Sequence, residues 1–376
     1  MKVIIAAAGT GGHINPGLAI ANKIKEKEKN SDFIFIGTNR GLENDLVPRA
    51  GYKLKTINAY GIERKINIKN FKKLYATYKS IGEAKKILEE FKPDVVIGTG
   101  GYICVPVVIA AKKLNIPVVL HESNAFPGIA VKLFNKKADR ILVGFEDAKK
   151  RLEDLNNVVI TGNPIKIKRL DLSENQKNKI KSSLGLNNDK TIVLVFGGSQ
   201  GAQSINRSLI EIIVNKKNKN YQIMWAAGPK QYDTIKSKLK EVNVDIDNIE
   251  NVKIVPYIYN MEEVMNVCDL VVSRSGAMTI TEVATVGKPA IFIPFPLATE
   301  NHQEYNARVL EKVGAAQIIL DKDLNSEILG NTIKRMIQNK EKLRQMGENA
   351  KRIAIPDVEN KIYEEIKKVV GQKGHS

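Results

Sequence analysis

Short, wholly apolar runs alternate with helix-period stretches from one end of the chain to the other. Runs of β type lie at 2–8, 33–37, 94–98, 117–121 and 140–144, and again at 191–196, 221–226, 252–255, 269–273 and 290–294. Helical patterns fill intervals such as 15–29, 72–91, 201–216 and 277–287. Continuous apolar runs are what strands buried on both faces require, so the pattern predicts parallel sheets covered by helices. The fold class is α/β, doubly wound, written twice.

Two of the runs empty into glycine-rich turns. Residues 3–8 lead into Gly9-Thr-Gly-Gly-His13, and residues 192–196 lead into Gly197-Gly-Ser-Gln-Gly201. A strand, a turn with little side-chain bulk and then a helix present backbone N–H groups and a helix N-terminus to a crevice, which is how a protein holds phosphate. Having the arrangement twice predicts two Rossmann-like halves. The expected boundaries are a first domain at 1–163, a Lys/Asn/Asp/Ser-rich connection at 164–190, a second domain at 191–350, and a closing segment at 351–376. Val358, Ile362, Ile366 and Val369 give that last segment an apolar helical face, and folding back on the first domain would bury it. The end of the chain, with His375, is expected to fray.

Size and composition agree. A chain of 376 residues exceeds what one core usually supports, and 43% hydrophobic content is that of a globular protein. No apolar run approaches the roughly 18 residues of a membrane span or the core of a signal peptide, so the expected compartment is the cytoplasm. Cys104 and Cys268 lack metal-ligand spacing and read as core thiols. The net charge of +18 implies an anionic partner. Much of it is lysine spread over solvated helix faces, but one stretch differs. Arg64, Lys65, Lys69, Lys72, Lys73 and Lys79 stand against a single acid, Glu63, while Phe71, Leu74, Tyr75 and Tyr78 form one helical stripe. Such a helix either lies in a lipid headgroup layer or packs on the core with a solvated lysine side.

Candidate chemistry clusters at strand ends. His13 closes the first glycine turn, and His121 opens His-Glu-Ser-Asn124 after a strand. His302 lies in a polar segment running to Asn306. Gly98-Thr-Gly-Gly-Tyr102 is a further backbone-lined turn. In the second half Ser273-Arg-Ser-Gly-Ala-Met-Thr279 leads from a strand into a helix, with Glu282 one turn in. The helix start suits a phosphate and the carboxylate suits both hydroxyls of a ribose. The turns lack G-x-G-x-x-G spacing with a following strand-end acid, and there is no Walker motif, which argues against a dehydrogenase and a P-loop NTPase. Asp245-Ile-Asp247 has metal-binding spacing but lies in a polar loop region.

The motifs Gly9-Thr-Gly-Gly-His-Ile-Asn-Pro-Gly17, Gly100-Gly-Tyr102, His121-Glu-Ser-Asn124, Gly162-Asn-Pro164, Gly197-Gly-Ser-Gln-Gly-Ala202, Arg274-Ser-Gly-Ala277 to Glu282 and His302-Gln303 to Asn306 run in one order over nearly the whole chain. In this the chain resembles the undecaprenyl-diphospho-muramoylpentapeptide β-N-acetylglucosaminyltransferases of bacterial cell-wall synthesis, the MurG family. The resemblance implies a GT-B fold with two Rossmann-like domains and a final helix returning to the first. It implies an inverting transfer of GlcNAc from UDP-GlcNAc to the 4-hydroxyl of MurNAc in lipid I, giving lipid II.

Carried over residue by residue, Thr10, Gly11, Gly12 and Asn124 meet the donor or the acceptor diphosphate. Ser199 and Ala277, Met278 and Thr279 lie at the donor phosphates, Ile258 at the uracil, Glu282 at the ribose and Gln303 at the sugar. Asn15, Gly100, Gly101, Tyr102 and His121 fall on the acceptor side. Lys166 stands where many members have arginine, keeping the charge without the bidentate fork. Ser123 replaces a common glutamine. The general base is His13 or Glu122, and His13 has the alternative of bonding the acceptor diphosphate. No metal or other cofactor is expected, because a helix N-terminus can stabilise the leaving diphosphate. Expected partners are UDP-GlcNAc, lipid I, the anionic inner membrane surface at its cytoplasmic face, and other cell-wall or division proteins. Contact residues for the membrane are Lys69, Phe71, Lys72, Lys73, Leu74, Tyr75 and Tyr78. A UDP-GlcNAc 2-epimerase or a lipid galactosyltransferase shares the GT-B plan, but the pairing of Gly-Thr-Gly-Gly-His with His-Glu-Ser-Asn favours the cell-wall transferase. Nucleic acid is not an expected partner, since aromatics are 6% and no RNP-like, KH or zinc pattern occurs.

Overall fold

The computed structural model describes residues 1–60, 68–198 and 201–373, with the backbone alone for 68–75, Asp247 and Lys373. They form two compact units, Met1–Ile165 joined by the segment from Ile355 onward, and Lys166–Ala354.

In the first unit strands and helices alternate in the order β1 (Lys2–Ala7), α1 (Gly11–Lys27), β2 (Asp32–Gly37), α2 (Glu43–Arg49), β3 (Lys53–Thr56), α3 (Ile68–Phe91), β4 (Val95–Gly100), α4 (Cys104–Lys113), β5 (Val118–Glu122), α5 (Ile129–Leu133), β6 (Arg140–Val143), α6 (Glu146–Lys149) and β7 (Val158–Ile160). The strands make one parallel sheet ordered β3-β2-β1-β4-β5-β6-β7. Val3, Ile4, Ile5, Ala6 and Ala7 of β1 are all 0% exposed, as a strand covered by helices on both faces must be. Each such Val or Ile contributes about 1.5–3 kcal/mol by leaving water.

The second unit follows the same logic with α7 (Glu174–Ser183), β8 (Ile192–Phe196), α8 (Gln203–Val214), β9 (Gln222–Ala226), α9 (Pro229–Glu241), β10 (Val252–Val255), α10 (Met261–Val267), β11 (Leu270–Ser273), α11 (Ala277–Val286), β12 (Ala290–Phe292), α12 (His302–Lys312), β13 (Ala316–Ile318), α13 (Ser326–Gln338) and α14 (Lys340–Lys351). Its sheet is parallel and ordered β10-β9-β8-β11-β12-β13. Each sheet therefore winds outward both ways from its first strand. The switch points lie beyond the carboxyl ends of β1 and β4, and of β8 and β11, where open α/β sheets hold ligands.

The final helix, α15 (Val358–Lys373), belongs to the first unit. Ile362, Ile366 and Val369 enter the core that contains Val3, Ile5, Ile14, Ile20 and Ile24. Polar ties fix its register: the Tyr363 hydroxyl donates to Glu28 at 3.0 Å, Lys367 pairs with Glu28 at 2.9 Å and Arg140 with Glu365 at 3.2 Å.

Two expectations need correction. The stretch 164–190 is more than a connection, because from Lys166 it is part of the second unit. Lys168 N–H donates to Glu262 at 2.7 Å and Leu170 N–H to Asn266 at 2.9 Å, stitching it to α10, and Ser173 with Gln176 forms a capping box that starts α7. Helix α1 begins at Gly11 rather than at 15, so Gly11, Gly12 and His13 are its first turn. Glycine is tolerated there because first-turn N–H groups have no helical partner to lose.

Candidate active site

The first glycine turn sits at the switch point of the first sheet. Gly9 has φ +93°, a left-handed value that a side chain would strain. Thr10 is the N-cap of α1 and its carbonyl accepts His13 N–H at 3.0 Å and Ile14 N–H at 3.2 Å. That leaves the N–H groups of Gly11 and Gly12 as the first-turn donors aimed off the helix end. Thr10, Gly12 and Asn15 are exposed.

His13 is held from two strands. Its Nδ1 lies 3.1 Å from Ala8 O, and since a carbonyl only accepts, Nδ1 carries the proton and the lone pair is on Nε2. Thr99 Oγ1 donates to the His13 carbonyl at 2.8 Å. The ring covers the end of β4 so closely that a Cβ on Gly100 would stand 2.4 Å from His13 Cδ2, and one on Gly101 would be 2.9 Å from Ala8 O. Gly100 and Gly101 thus serve to admit the imidazole. Tyr102 is half-buried beside them.

The His121 to Asn124 segment ends β5, next to β4 in the sheet. Two of its side chains are turned into the protein. His121, expected on the acceptor side, is 1% exposed; its Nε2 donates to Gly162 O at 3.3 Å and Ser123 Oγ meets Nδ1 at 3.4 Å. Burial pushes its pKa down to about 4, so it is a neutral, internally satisfied histidine. Glu122, a candidate base, has both carboxylate oxygens committed. Oε1 accepts Asn124 N–H at 2.8 Å and Asn124 Nδ2–H at 3.1 Å, and Oε2 accepts Gly128 N–H at 2.7 Å. Burial raises its pKa while these donors oppose the rise. Both oxygens thus hold Asn124 and the turn to Gly128, and a proton taken up by Glu122 would have to displace one of these donors. Glu122→Ala is therefore expected to cost about 2–4 kcal/mol of stability, as three partly buried donors lose their acceptor. The readout is a lower urea midpoint at unchanged slope; an unmoved midpoint would show that Glu122 does not hold this turn.

In the second unit the donors assemble around α11. Gly276 is its N-cap, so Ala277, Met278 and Thr279 supply the first-turn N–H groups, and Glu282 lies three and four residues beyond Thr279 and Met278 on the same helix face. Glu282 is partly buried, and desolvation raises its pKa to about 7. Gln303 Oε1 accepts Ser275 N–H at 3.3 Å and Phe295 N–H at 3.0 Å, and Gln303 O accepts the Ser275 hydroxyl at 2.8 Å. Gln303 thus ties the turn after β11 to the one after β12. Arg274 reinforces the tie by donating to Ile293 O at 3.1 Å, Pro294 O at 3.2 Å and Ser204 Oγ at 2.9 Å, with Asp321 at 2.5 Å. Sequence reasoning placed Arg274 in a motif without this bracing role, two of whose four acceptors are backbone carbonyls. Just before α12, Glu300 and Asn301 both take left-handed φ, 52° and 56°, a strained approach of the kind stored at functional sites.

Ile258 is buried, 4% exposed, in the segment after β10. Lys166 is exposed at the first position of the second unit. Ser199 lies outside the described residues, as do the side chains of Lys69, Phe71, Lys72, Lys73, Leu74 and Tyr75; Tyr78 is 70% exposed. Among the described residues no group of three or more His, Cys, Asp or Glu is arranged to hold a metal ion. The residue that sequence reasoning missed altogether is Glu43, a buried acid 2.9 Å from Gly9 N.

Residues 3–143 match the glycosyltransferase family 28 N-terminal domain and residues 192–362 its C-terminal domain. The chain is 43% identical over 374 residues to the UDP-N-acetylglucosamine–N-acetylmuramyl-(pentapeptide) pyrophosphoryl-undecaprenol N-acetylglucosamine transferase of Acetivibrio thermocellus, covering 99% of each chain. It is 44% identical over 369 residues to the protein of the same name from Thermoanaerobacter sp., covering 98% of this chain and all of the relative. The solved structure of Acinetobacter baumannii MurG superposes with a TM-score of 0.77 at 26% identity, over 98% of this chain and 99% of that one. A UDP-GlcNAc 2-epimerase from Neisseria meningitidis, with a TM-score of 0.64 at 16% identity over 98% of this chain and all of that one, shares the fold alone. Two doubly wound parallel sheets, glycine turns at both switch points and whole-length likeness to these transferases make the chain a member of the MurG family within glycosyltransferase family 28.

Proposed function

We propose that the chain moves GlcNAc from UDP-GlcNAc to the 4-hydroxyl of MurNAc in undecaprenyl-diphospho-MurNAc-pentapeptide, lipid I, with inversion at the sugar, to form lipid II. The observation that carries the reading is that likeness to the named transferases runs through both halves of the chain, the His13 and Asn124 segments included. In this scheme His13 Nε2 accepts the proton of the attacking hydroxyl. The N–H groups of Gly11 and Gly12, with Asn124, meet the acceptor diphosphate. The N-terminus of α11 takes the negative charge that develops on the leaving UDP, the role that preorganised donors fill in a site shielded from water. Glu282 accepts the ribose hydroxyls, Ile258 backs the uracil, and Gln303 and Ser199 meet the sugar and the phosphates. Catalysis by these groups needs no metal.

Incubation with labelled UDP-GlcNAc and a lipid I analogue, followed by product mass, tests the reading. One added GlcNAc on the acceptor with release of UDP supports it. Consumption of UDP-GlcNAc without any acceptor would favour the epimerase chemistry of the structural neighbour.

A lipid acceptor requires the enzyme to work at a bilayer, and no described helix is long and apolar enough to cross one. We place the chain on the cytoplasmic face, held by the basic stripe that ends at exposed Tyr78. The protein is then expected to sediment with anionic vesicles at low salt and to be released as salt screens the attraction. Replacing Lys69, Lys72 and Lys73 together with glutamate should abolish sedimentation and leave UDP binding intact. Absence of vesicle binding at low salt would return the stripe to a core-facing helix.

A further inference from the structure

Between β2 and α2 the chain reads Gly37-Thr-Asn-Arg-Gly-Leu-Glu43, and the side chain of Glu43 is wholly buried. Every partner it has is a donor. Oε2 accepts Gly9 N–H at 2.9 Å, while Oε1 accepts Thr38 N–H at 2.9 Å and the Thr38 hydroxyl at 2.8 Å. The fold makes room for it: a Cβ on Gly41 would stand 2.0 Å from Oε2, and one on Gly37 would be 2.6 Å from Cγ. Burial alone would raise its pKa, but the bonds from Gly9 and Thr38 outweigh that and hold it below the ordinary carboxylate value. At neutral pH it is a buried anion.

The N–H it grips belongs to the peptide joining Ala8 to Gly9. The carbonyl of that same peptide, Ala8 O, accepts Nδ1–H of His13 at 3.1 Å. A peptide is planar, with its N–H and C=O pointing in opposite directions, so one rigid unit stands between the carboxylate and the imidazole. Hydrogen bonds in series polarise one another, and an anion at the N–H end makes the carbonyl at the other end a stronger acceptor.

We propose that Glu43 is a positioning residue of the acceptor half, acting on His13 through the Ala8–Gly9 peptide: it sets the orientation of that peptide, fixes the Nδ1–H tautomer, and favours the imidazolium formed when Nε2 takes a proton. Carboxylates commonly do this for histidine by direct contact. Here a backbone amide carries the effect. Leu42 N–H, which donates to Gly9 O at 3.2 Å, fixes the following peptide and keeps the Gly9 turn from rotating away. The inference rests on the transferase reading for the use made of His13, but the linkage itself needs no substrate.

The test uses the full chain with Glu43→Gln, whose amide offers one acceptor oxygen in place of two. At saturating donor and lipid I analogue, kcat is expected to fall at least tenfold, and the acid limb of kcat against pH to move down by roughly half a unit or more as the charge is lost. UDP affinity should stay within twofold. In a His13→Ala background Glu43→Gln should cost less than twofold more, because its effect passes through the imidazole. A tenfold loss that persists without His13, or a folded Glu43→Gln with unchanged kcat and pH profile, overturns the proposal. A second measurement covers a variant that fails to fold. In the parent protein, nitrogen NMR of labelled histidine should show His13 protonated on Nδ1, and hydrogen exchange should show Gly9 N–H protected; the opposite tautomer or a fast-exchanging Gly9 overturns it as well. These two readouts also separate the outcomes, since a parent that yields no GlcNAc-bearing product sinks the transferase reading and leaves the linkage to be decided by them.

Discussion

His13→Ala is expected to lower turnover by about 10²–10⁴ with little change in acceptor KM, the loss that follows removal of a general base. The geometry specifies which nitrogen does the work. Ala8 O fixes Nδ1 as the protonated atom, so the basic lone pair belongs to Nε2, on the ring edge beside Gly100. An imidazole is also the side chain that ordinarily changes charge near neutral pH. If His13 instead bonds the acceptor diphosphate, its loss should mainly raise KM with turnover nearly kept. Turnover measured across the pH range at saturating acceptor distinguishes the two, and near-normal values throughout would remove His13 as the base.

Glu282→Ala is expected to weaken UDP binding by about 1.5–3 kcal/mol, the range for a hydrogen bond to a charged partner. The raised pKa adds a pH signature. Desolvation holds the unliganded carboxyl at about 7, whereas accepting two ribose hydroxyls favours the ionised form, so binding releases a proton. Affinity should therefore rise with pH through that value, and at pH 6 it should be weaker than at pH 8 by about tenfold from this group alone. The phosphates of UDP titrate in the same range, so the comparison is with Glu282→Gln, in which the contribution of the carboxyl is gone and that of the phosphates remains. Calorimetric profiles of the same slope for parent and Glu282→Gln would remove Glu282 from the ribose, as would equal affinity for UDP and ADP.

The parts of the fold that were legible before the structure are those where burial is complete. Strands β1, β4, β5, β8 and β11 are central in their sheets, and their unbroken apolar runs have no other use. The strands that escaped notice, β3, β7 and β13, are all sheet edges. β3 reads Lys-Leu-Lys-Thr with only its leucine partly buried, since an edge strand needs apolar side chains on little of its surface. The same division holds at the site. The glycine turns, Glu282 and Gln303 carry motifs that a sequence displays. The burial and hydrogen bonds of Glu122 and His121, by contrast, depend on which way each side chain turns at the end of β5, and a pattern of residue types does not encode that. Glu43 left the faintest trace of all, an acid that follows Gly37 and Gly41 and belongs to no motif. What gives it meaning is its contact with a turn 34 residues earlier in the chain.

Because the first unit recruits its last helix from the far end of the chain, the two halves differ in when they can be finished during synthesis. Residues 166–354 hold everything the second unit needs and emerge as one continuous stretch. The first unit, although translated earlier, waits with the surface under Ile14, Ile20 and Ile24 uncovered until Ile362, Ile366 and Val369 arrive. The order of completion is thus the reverse of the order of translation. A premature stop or a proteolytic clip a few residues past 354 would leave the first unit without the helix that covers this surface, while the second unit keeps all of its residues. The helix from Val358 to Lys373 is thus the last piece of the first unit to be made.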